Sequence, residues 1–347
     1  MIKENIKQMS AYNPPLEDRN EKSLLLDFNE RTISVAPCIK KALINYIKNK
    51  EIQRYPNYKG FLEKLSKYVG VNYKQLMITN GSDQGIDILF RATCSSGGEV
   101  IIPTPSFPIF NQSANIENLI IKSPVYTKEK GFPTDEVLKN ITDKTQLIVI
   151  CNPNNPTGTL VKKEDIIKII EASKNVAVFV DECYFEYTTE TMKNYVNRYD
   201  NLFITRSFSK AWGLASLRLG YIISNEKNIQ ELLKIRGPYD INQLAIVATS
   251  EALNNPQYMQ SYVDEIMNIS KPMFLKYLRN KKIKYWDSSG NFILIEFSDA
   301  QIIKERLKIK GILVRLQKGQ NIENTIRITI GTKEEMEKLI GILESIL

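Results

Sequence analysis

The sequence contains no histidine. That absence removes Ser-His-Asp triads, His-ligated metal centres and imidazole acid–base catalysis, so proton transfer falls to Lys, Tyr, Cys or a carboxylate. Cysteine is scarce as well. Cys38, Cys94, Cys151 and Cys183 lie far apart with no CxxC pair, which suits a reducing compartment rather than a disulfide framework. No segment approaches the ~18 consecutive apolar residues of a membrane span, and residues 1–20 lack the apolar stretch of a signal peptide. A cytoplasmic protein with no membrane contact and no metal is expected. The net charge is +8, from 47 Lys+Arg against 39 Asp+Glu. Even so, the lysines are scattered, without a block of five or six or a basic–aromatic surface, so nucleic acid is not an expected partner.

What is present is a regular alternation of apolar runs and amphipathic stretches. The 347 residues suffice for roughly two domains at ~100–200 residues each. Strand-like runs fall at 24–28, 77–80, 99–103, 119–122, 146–151, 175–180, 202–205 and 219–224. Helical spacing marks 37–48, 60–69, 86–92 and 164–173. Near-continuous apolar strands alternating with helices predict an α/β fold, a mostly parallel sheet covered by helices on both faces. After Pro238 the pattern changes. A long helical region at 242–278, broken near Asn255-Pro256, precedes hairpin-like strands at 284–286, 292–297, 312–316 and 326–330, with a closing helix at 333–347. The expected division is an N-terminal arm (1–36) joining the small domain, a large domain (37–240) and a small α+β domain (241–347).

The polar clusters share one location, the carboxyl ends of the predicted strands. Gly81-Ser82-Asp83 follows the run at 77–80, Phe107 follows 99–103, and Asn155 follows 146–151. Asp181 and Tyr184 follow 175–180, and Ser207, Ser209 and Lys210 follow 202–205. Open parallel sheets bind ligands in the crevice outside those ends, so these groups are expected to converge. Together they offer an anion cradle at a helix start, an aromatic face, a side-chain amide, a carboxylate with a tyrosine three residues on, and a lysine in desolvating surroundings. Burying the carboxylate requires a positive or protonated partner. Pyridoxal phosphate supplies the complements: phosphate, flat ring, ring oxygen, pyridinium nitrogen, and an aldehyde for a Schiff base with lysine.

Several motifs in order carry a family resemblance: Tyr12-Asn13-Pro14, Asn29-Glu30, Arg54-Tyr55-Pro56, Gly81-Ser82-Asp83, Asn154-Asn155-Pro156-Thr157-Gly158, Asp181-Glu182-Cys183-Tyr184, Ser207-Phe208-Ser209-Lys210, Arg218, and the run Arg327 to Thr332. The chain resembles the fold-type I, class I/II pyridoxal-phosphate aminotransferases, and most nearly their histidinol-phosphate aminotransferase group. The resemblance implies that Lys210 bonds the cofactor aldehyde and then shuttles the proton. It implies that Asp181 pairs with the pyridinium nitrogen, that Asn155 and Tyr184 bond the ring oxygen, and that Phe107 stacks on the ring. Phosphate is then held by Gly81, Ser82, Asp83, Ser207, Ser209 and Arg218. Tyr55 is implied to reach in from a neighbouring subunit, which makes a homodimer with shared sites. For the substrate it implies Arg327 on the anionic group, with Arg315, Tyr12 and Asn29 nearby.

The implied activity moves an amino group between an amino acid donor and a small phosphorylated ketone or amine. Two alternatives stay open: a decarboxylase of an O-phospho-amino acid on the same fold, and an aminotransferase for aromatic or other 2-oxo acids. The sequence departs from the family pattern at Arg31-Thr32, where proline usually follows the asparagine-rich run. It departs also at Phe107, where tyrosine is commoner, and at Leu316, where proline is usual.

Overall fold

A computed structural model describes residues 1–11, 13–16, 19, 22–50 and 52–347. Two sheets organise the chain. The larger contains β2 (Leu76–Asn80), β3 (Glu99–Ile101), β4 (Ile120–Lys122), β5 (Thr145–Cys151), β6 (Ala177–Asp181), β7 (Leu202–Ser207) and β8 (Leu219–Ile223). They lie in the order β2-β8-β7-β6-β5-β3-β4. Pairings from β4 across to β7 are parallel, whereas β8 is antiparallel to both β7 and β2. The α/β class with a mostly parallel sheet is as expected.

Alternation along the central strands explains the layering. Ile148, Ile150, Val178, Val180 and Ile204 enter one core cluster, and Leu147, Val149, Phe179 and Phe203 enter another. Neighbouring residues of a strand point to opposite faces. A strand apolar at every position therefore needs cover on both sides, and helices supply it. No helix among the described residues is long and apolar enough to cross a membrane.

The second sheet has four strands, β1 (Leu24–Leu26), β10 (Ile312–Leu316), β11 (Thr325–Thr329) and β9 (Phe292–Glu296), in that order. β1 runs parallel to β10, so a strand from the start of the chain completes a sheet built from its end. The hairpin-like reading holds for β10 and β11, which are consecutive and antiparallel, and needs correction before them. Residues 284–286 form no strand, only a bridge from Tyr285 to Ile295. β9 and β10 are joined through the helix Ala300–Ile309 and are separated in the sheet by β11. That helix buries Ile303 and Leu307 among lysines and glutamates, which obscure its apolar stripe in the sequence.

Candidate active site

Asp181 ends β6, in register with Cys151 of β5 on one side and Thr205 of β7 on the other. It is 3% exposed, and Thr205 Oγ1 donates to its carboxylate at 2.8 Å. Burial pushes its pKa above the ordinary carboxylate value, and hydrogen bonds from Cys183 and Thr205 oppose that only in part. Nearby Cys151 and Cys183 have thiols pushed well up, first by burial and then by the Asp181 charge. A carboxylate in this setting favours a positively charged partner.

The anion cradle is built by close approach of backbone. The helix Gly81–Thr93 begins five residues before the expected Ile86. Ser82 and Asp83 therefore lie inside its first turn and do not cap it; Asn80 is the N-cap and makes no side-chain capping bond. Gly81 N–H donates to the Arg218 carbonyl at 3.0 Å. A Cβ at Gly220 of β8 would stand 2.6 Å from both the Gly81 carbonyl carbon and the Ser82 nitrogen. Glycine there lets β8 lie against the amino end of the helix. The antiparallel course of β8 also explains Arg218: it precedes its strand, yet arrives at the edge where the other strands end. Its guanidinium pairs with Asp83 at 2.7 Å. Ser207 and Ser209, both buried, join the same edge, the Ser207 hydroxyl donating to Ser209 Oγ at 2.8 Å.

Lys210 is partly buried, and its ammonium donates to the Phe28 carbonyl at 2.9 Å. Its pKa is lowered, chiefly by burial and next by the charge of Arg327. Arg327, on β11, donates to Asn155 Oδ1 and to the Asp27 carbonyl. With its oxygen engaged, Asn155 keeps its Nδ2 to donate. Tyr184 is wired in the same sense: its hydroxyl accepts from Asn29 Nδ2 at 3.0 Å and keeps its own proton to donate. Burial holds that phenol well above its ordinary pKa.

The remaining expected residues fall as follows. Asn29 is fully buried at φ 56°, with its backbone N–H on Thr329 Oγ1 at 3.0 Å. Arg315 lies directly across from Arg327 on the neighbouring strand and sits over the Phe28 ring at 5.6 Å. Phe107 caps the helix Pro108–Ile116, half-buried and edge-on to Phe110 at 5.8 Å. Tyr55 is 77% exposed and stacks on Tyr239 at 4.2 Å. Tyr12 lies outside the described residues.

Some contributors have roles that the motifs alone do not show. Asn154, fully buried, reaches the Pro105 carbonyl at 2.9 Å and Thr157 Oγ1 at 2.8 Å and so locks the loop that presents Asn155. Arg31, at the departure from the family pattern, donates to the Ala211 carbonyl at 3.0 Å and packs over Tyr262 and Tyr258 at 4.3 and 4.7 Å. Thr205 is hidden inside an apolar strand, and only its position opposite Asp181 gives it away.

Residues 21–343 match the family Aminotransferase class I and II. The chain belongs to that family. It is 33% identical to histidinol-phosphate aminotransferase of Bacillus subtilis, covering 100% of this chain and 99% of that protein. The corresponding enzyme of Methanocaldococcus jannaschii is also 33% identical, over 94% of this aminotransferase and 90% of the relative. Histidinol-phosphate aminotransferase from Sinorhizobium meliloti, solved in complex with pyridoxal-5'-phosphate, superposes with TM-score 0.90 at 20% identity, covering 100% and 98% of the two chains. L-threonine-O-3-phosphate decarboxylase from Porphyromonas gingivalis superposes with TM-score 0.80 at 22% identity, covering 93% and 99%. The fold is thus that of the fold-type I pyridoxal-phosphate enzymes, and the chain is an aminotransferase that depends on this cofactor. The site fits the group: a buried carboxylate suited to a cation, an uncapped helix start for a phosphate, and a lysine whose charge burial disfavours.

Proposed function

We propose that this aminotransferase moves an amino group between an amino acid and a small phosphorylated ketone, of the kind named by its histidinol-phosphate relatives. When bound, pyridoxal phosphate supplies an aldehyde and an electron-withdrawing ring. Asp181 keeps the ring nitrogen protonated, Asn155 and Tyr184 donate to the ring oxygen, and Phe107 covers one ring face. Ser207, Ser209, Arg218 and the amides of Ser82 and Asp83 would hold the phosphate, while Gly81, whose N–H is taken by the Arg218 carbonyl, shapes the turn that presents them. Lys210, with its pKa lowered, would carry the proton between the substrate carbon and the cofactor. No histidine exists to do so.

The observation that carries the substrate reading is the pair Arg315 and Arg327, directly opposed on antiparallel β10 and β11. Opposed residues share a face, so the two arginines rise from the same face of the sheet, and the Arg327 guanidinium is already bonded to Asn155 and to the Asp27 carbonyl. A phosphate monoester offers the divalent anion that such a pair suits. Tyr12 belongs to the same proposal. The test compares histidinol phosphate with histidinol as amino donor to 2-oxoglutarate, in the wild type and in Arg315→Ala and Arg327→Ala. A charge-assisted hydrogen bond contributes about 1.5–3 kcal/mol, so each variant should lose roughly 10- to 100-fold of the preference for the phosphorylated donor. An unchanged preference refutes the reading. Release of carbon dioxide from O-phospho-amino acids, without oxo-acid formation, would favour a decarboxylase instead.

A homodimer is part of the proposal, with Tyr55 serving the neighbouring subunit's phosphate. Its support is the exposure of Tyr55 together with Ile44, Ile47 and Ile52 close by in sequence, each more than half exposed. The four free thiols support a reducing, cytoplasmic setting.

A further inference from the structure

Lys271 opens the helix Lys271–Asn280 on the face that buries Phe274 and Leu278. It is 5% exposed. Its ammonium donates to the Gly290 carbonyl at 2.9 Å and to the Ser288 carbonyl. Burial outweighs the opposing charge of Asp287 and brings its pKa down to about 8, so the group remains mostly protonated at neutral pH. A buried ammonium costs several kcal/mol to desolvate, and a methionine would fill the same volume without that cost. The cation is therefore tied to what it holds, two carbonyls of one turn.

That turn, residues 288–291, reaches in two directions. Ser289 N–H donates to the Gly158 carbonyl at 2.8 Å. Gly158 has φ +77°, and a Cβ there would stand 2.7 Å from Ser288 Cα, so only glycine admits this approach. Its own N–H closes the Asn155 loop on the Asn154 carbonyl at 2.7 Å. In the other direction Asn291, fully buried, donates through Nδ2 to the Asn29 carbonyl at 3.1 Å. Asn29 in turn donates to the Tyr184 hydroxyl at 3.0 Å.

We propose that Lys271 is a positioning residue for the active site: it fixes the turn 288–291, which sets Asn155 through Gly158 and Tyr184 through Asn29. The inference rests on reading those two side chains as donors to the cofactor's ring oxygen. Such donors favour the anionic oxygen and lower the pH at which the bound cofactor gives up its proton. Misplacing one hydrogen bond raises that pH midpoint by about one unit, because a unit corresponds to ~1.4 kcal/mol, the size of one such bond.

The experiment is a pH titration of the cofactor's visible absorbance in purified holoenzyme, comparing wild type, Lys271→Met, Asn291→Ala and the exposed-lysine control Lys276→Met. The midpoint should rise by about one unit in the first two variants and stay at the wild-type value in the control. Thermal unfolding checks that each variant is folded. If Lys271→Met does not fold, Asn291→Ala decides through the Tyr184 arm. A wild-type midpoint in either folded variant overturns the proposal. If wild-type protein shows no visible band dependent on Lys210, the cofactor reading fails first, which is a different result.

Discussion

At Asp181, what the fold tolerates and what the chemistry needs pull in opposite directions. Its folded-state pKa is raised above the unfolded value near 3.8. For a carboxyl shifted upward, the penalty is absent below 3.8, grows as pH rises, and is complete above the folded pKa. At every pH above 3.8 the cofactor-free protein bears some of it. Asp181→Asn should therefore raise the melting temperature of the apoprotein at pH 7 and lose that advantage in the holoprotein, where the proposed pyridinium partner would neutralise the wild-type charge. Turnover should fall by about 10²-fold or more, as when one partner of a buried pair is removed. Calorimetry of both forms, with and without cofactor, checks it; an apoprotein variant no more stable than wild type contradicts the burial argument. Lys271 gives the mirror case. Its folded pKa of about 8 lies below the unfolded 10.5, so its penalty is complete below pH 8 and is relieved as pH rises towards 10.5. Relative to Lys271→Met, the wild type should gain about 2 kcal/mol of stability between roughly pH 7 and 9.5, measurable by urea unfolding at both values.

At the scale of elements, the proposed phosphate site depends on the meeting of β8 with the amino end of the helix Gly81–Thr93. Gly220→Ala puts a methyl group where the Gly81 carbon and Ser82 nitrogen already lie 2.6 Å away. Overpacking of this kind costs typically about 1–3 kcal/mol. Here the helix start must retreat, and cofactor affinity should drop by roughly 10-fold or more, read from the visible band against added cofactor. The sequence displayed both parts of this junction without the contact between them. The apolar strands were legible because strands covered on both faces leave few polar positions. Their polar ends were legible because the chain turns there. The helix start was misplaced at Ile86 since Gly81-Ser82-Asp83 has turn and capping chemistry, and the contact that draws it into the helix comes from β8, well over a hundred residues later. Lys271 carried a readable signal: it falls on the buried stripe with Phe274 and Leu278. Its carbonyl partners were not readable, because they depend on how the turn 288–291 meets Gly158.

For the molecule as a whole, the proposed dimer gives a test that one subunit cannot satisfy. Tyr55→Ala and Lys210→Ala subunits should each be inactive alone, the second also lacking the visible band. If Tyr55 serves its neighbour, a mixed dimer rebuilds one complete site from the Lys210 of one subunit and the Tyr55 of the other. Unfolding and refolding the two variants together should then restore measurable turnover. No recovery, in a mixture shown by sedimentation to contain mixed dimers, places Tyr55 in its own subunit's site. The two sheets matter at this scale too, since Arg327 leaves the smaller one to reach Asn155 beside the larger.

The pairing of β1 with β10 sets the order in which the protein can be finished. Leu24–Leu26 emerges from the ribosome early and meets its partner strand only when Ile312–Leu316 has been made. The Asn29 N–H and Thr329 Oγ1, 300 residues apart along the chain, meet equally late. Chains grow at about 5–20 residues per second, and domains fold roughly in order of synthesis. The seven-stranded sheet can therefore assemble on the nascent chain while residues 24–29 wait. Phe28, which holds Lys210, and Asn29, which holds Tyr184, lie in that waiting segment. On the proposed roles, catalytic competence waits for the synthesis of β10 and β11, and a polypeptide truncated before them would carry the lysine and the aspartate without the means to aim them.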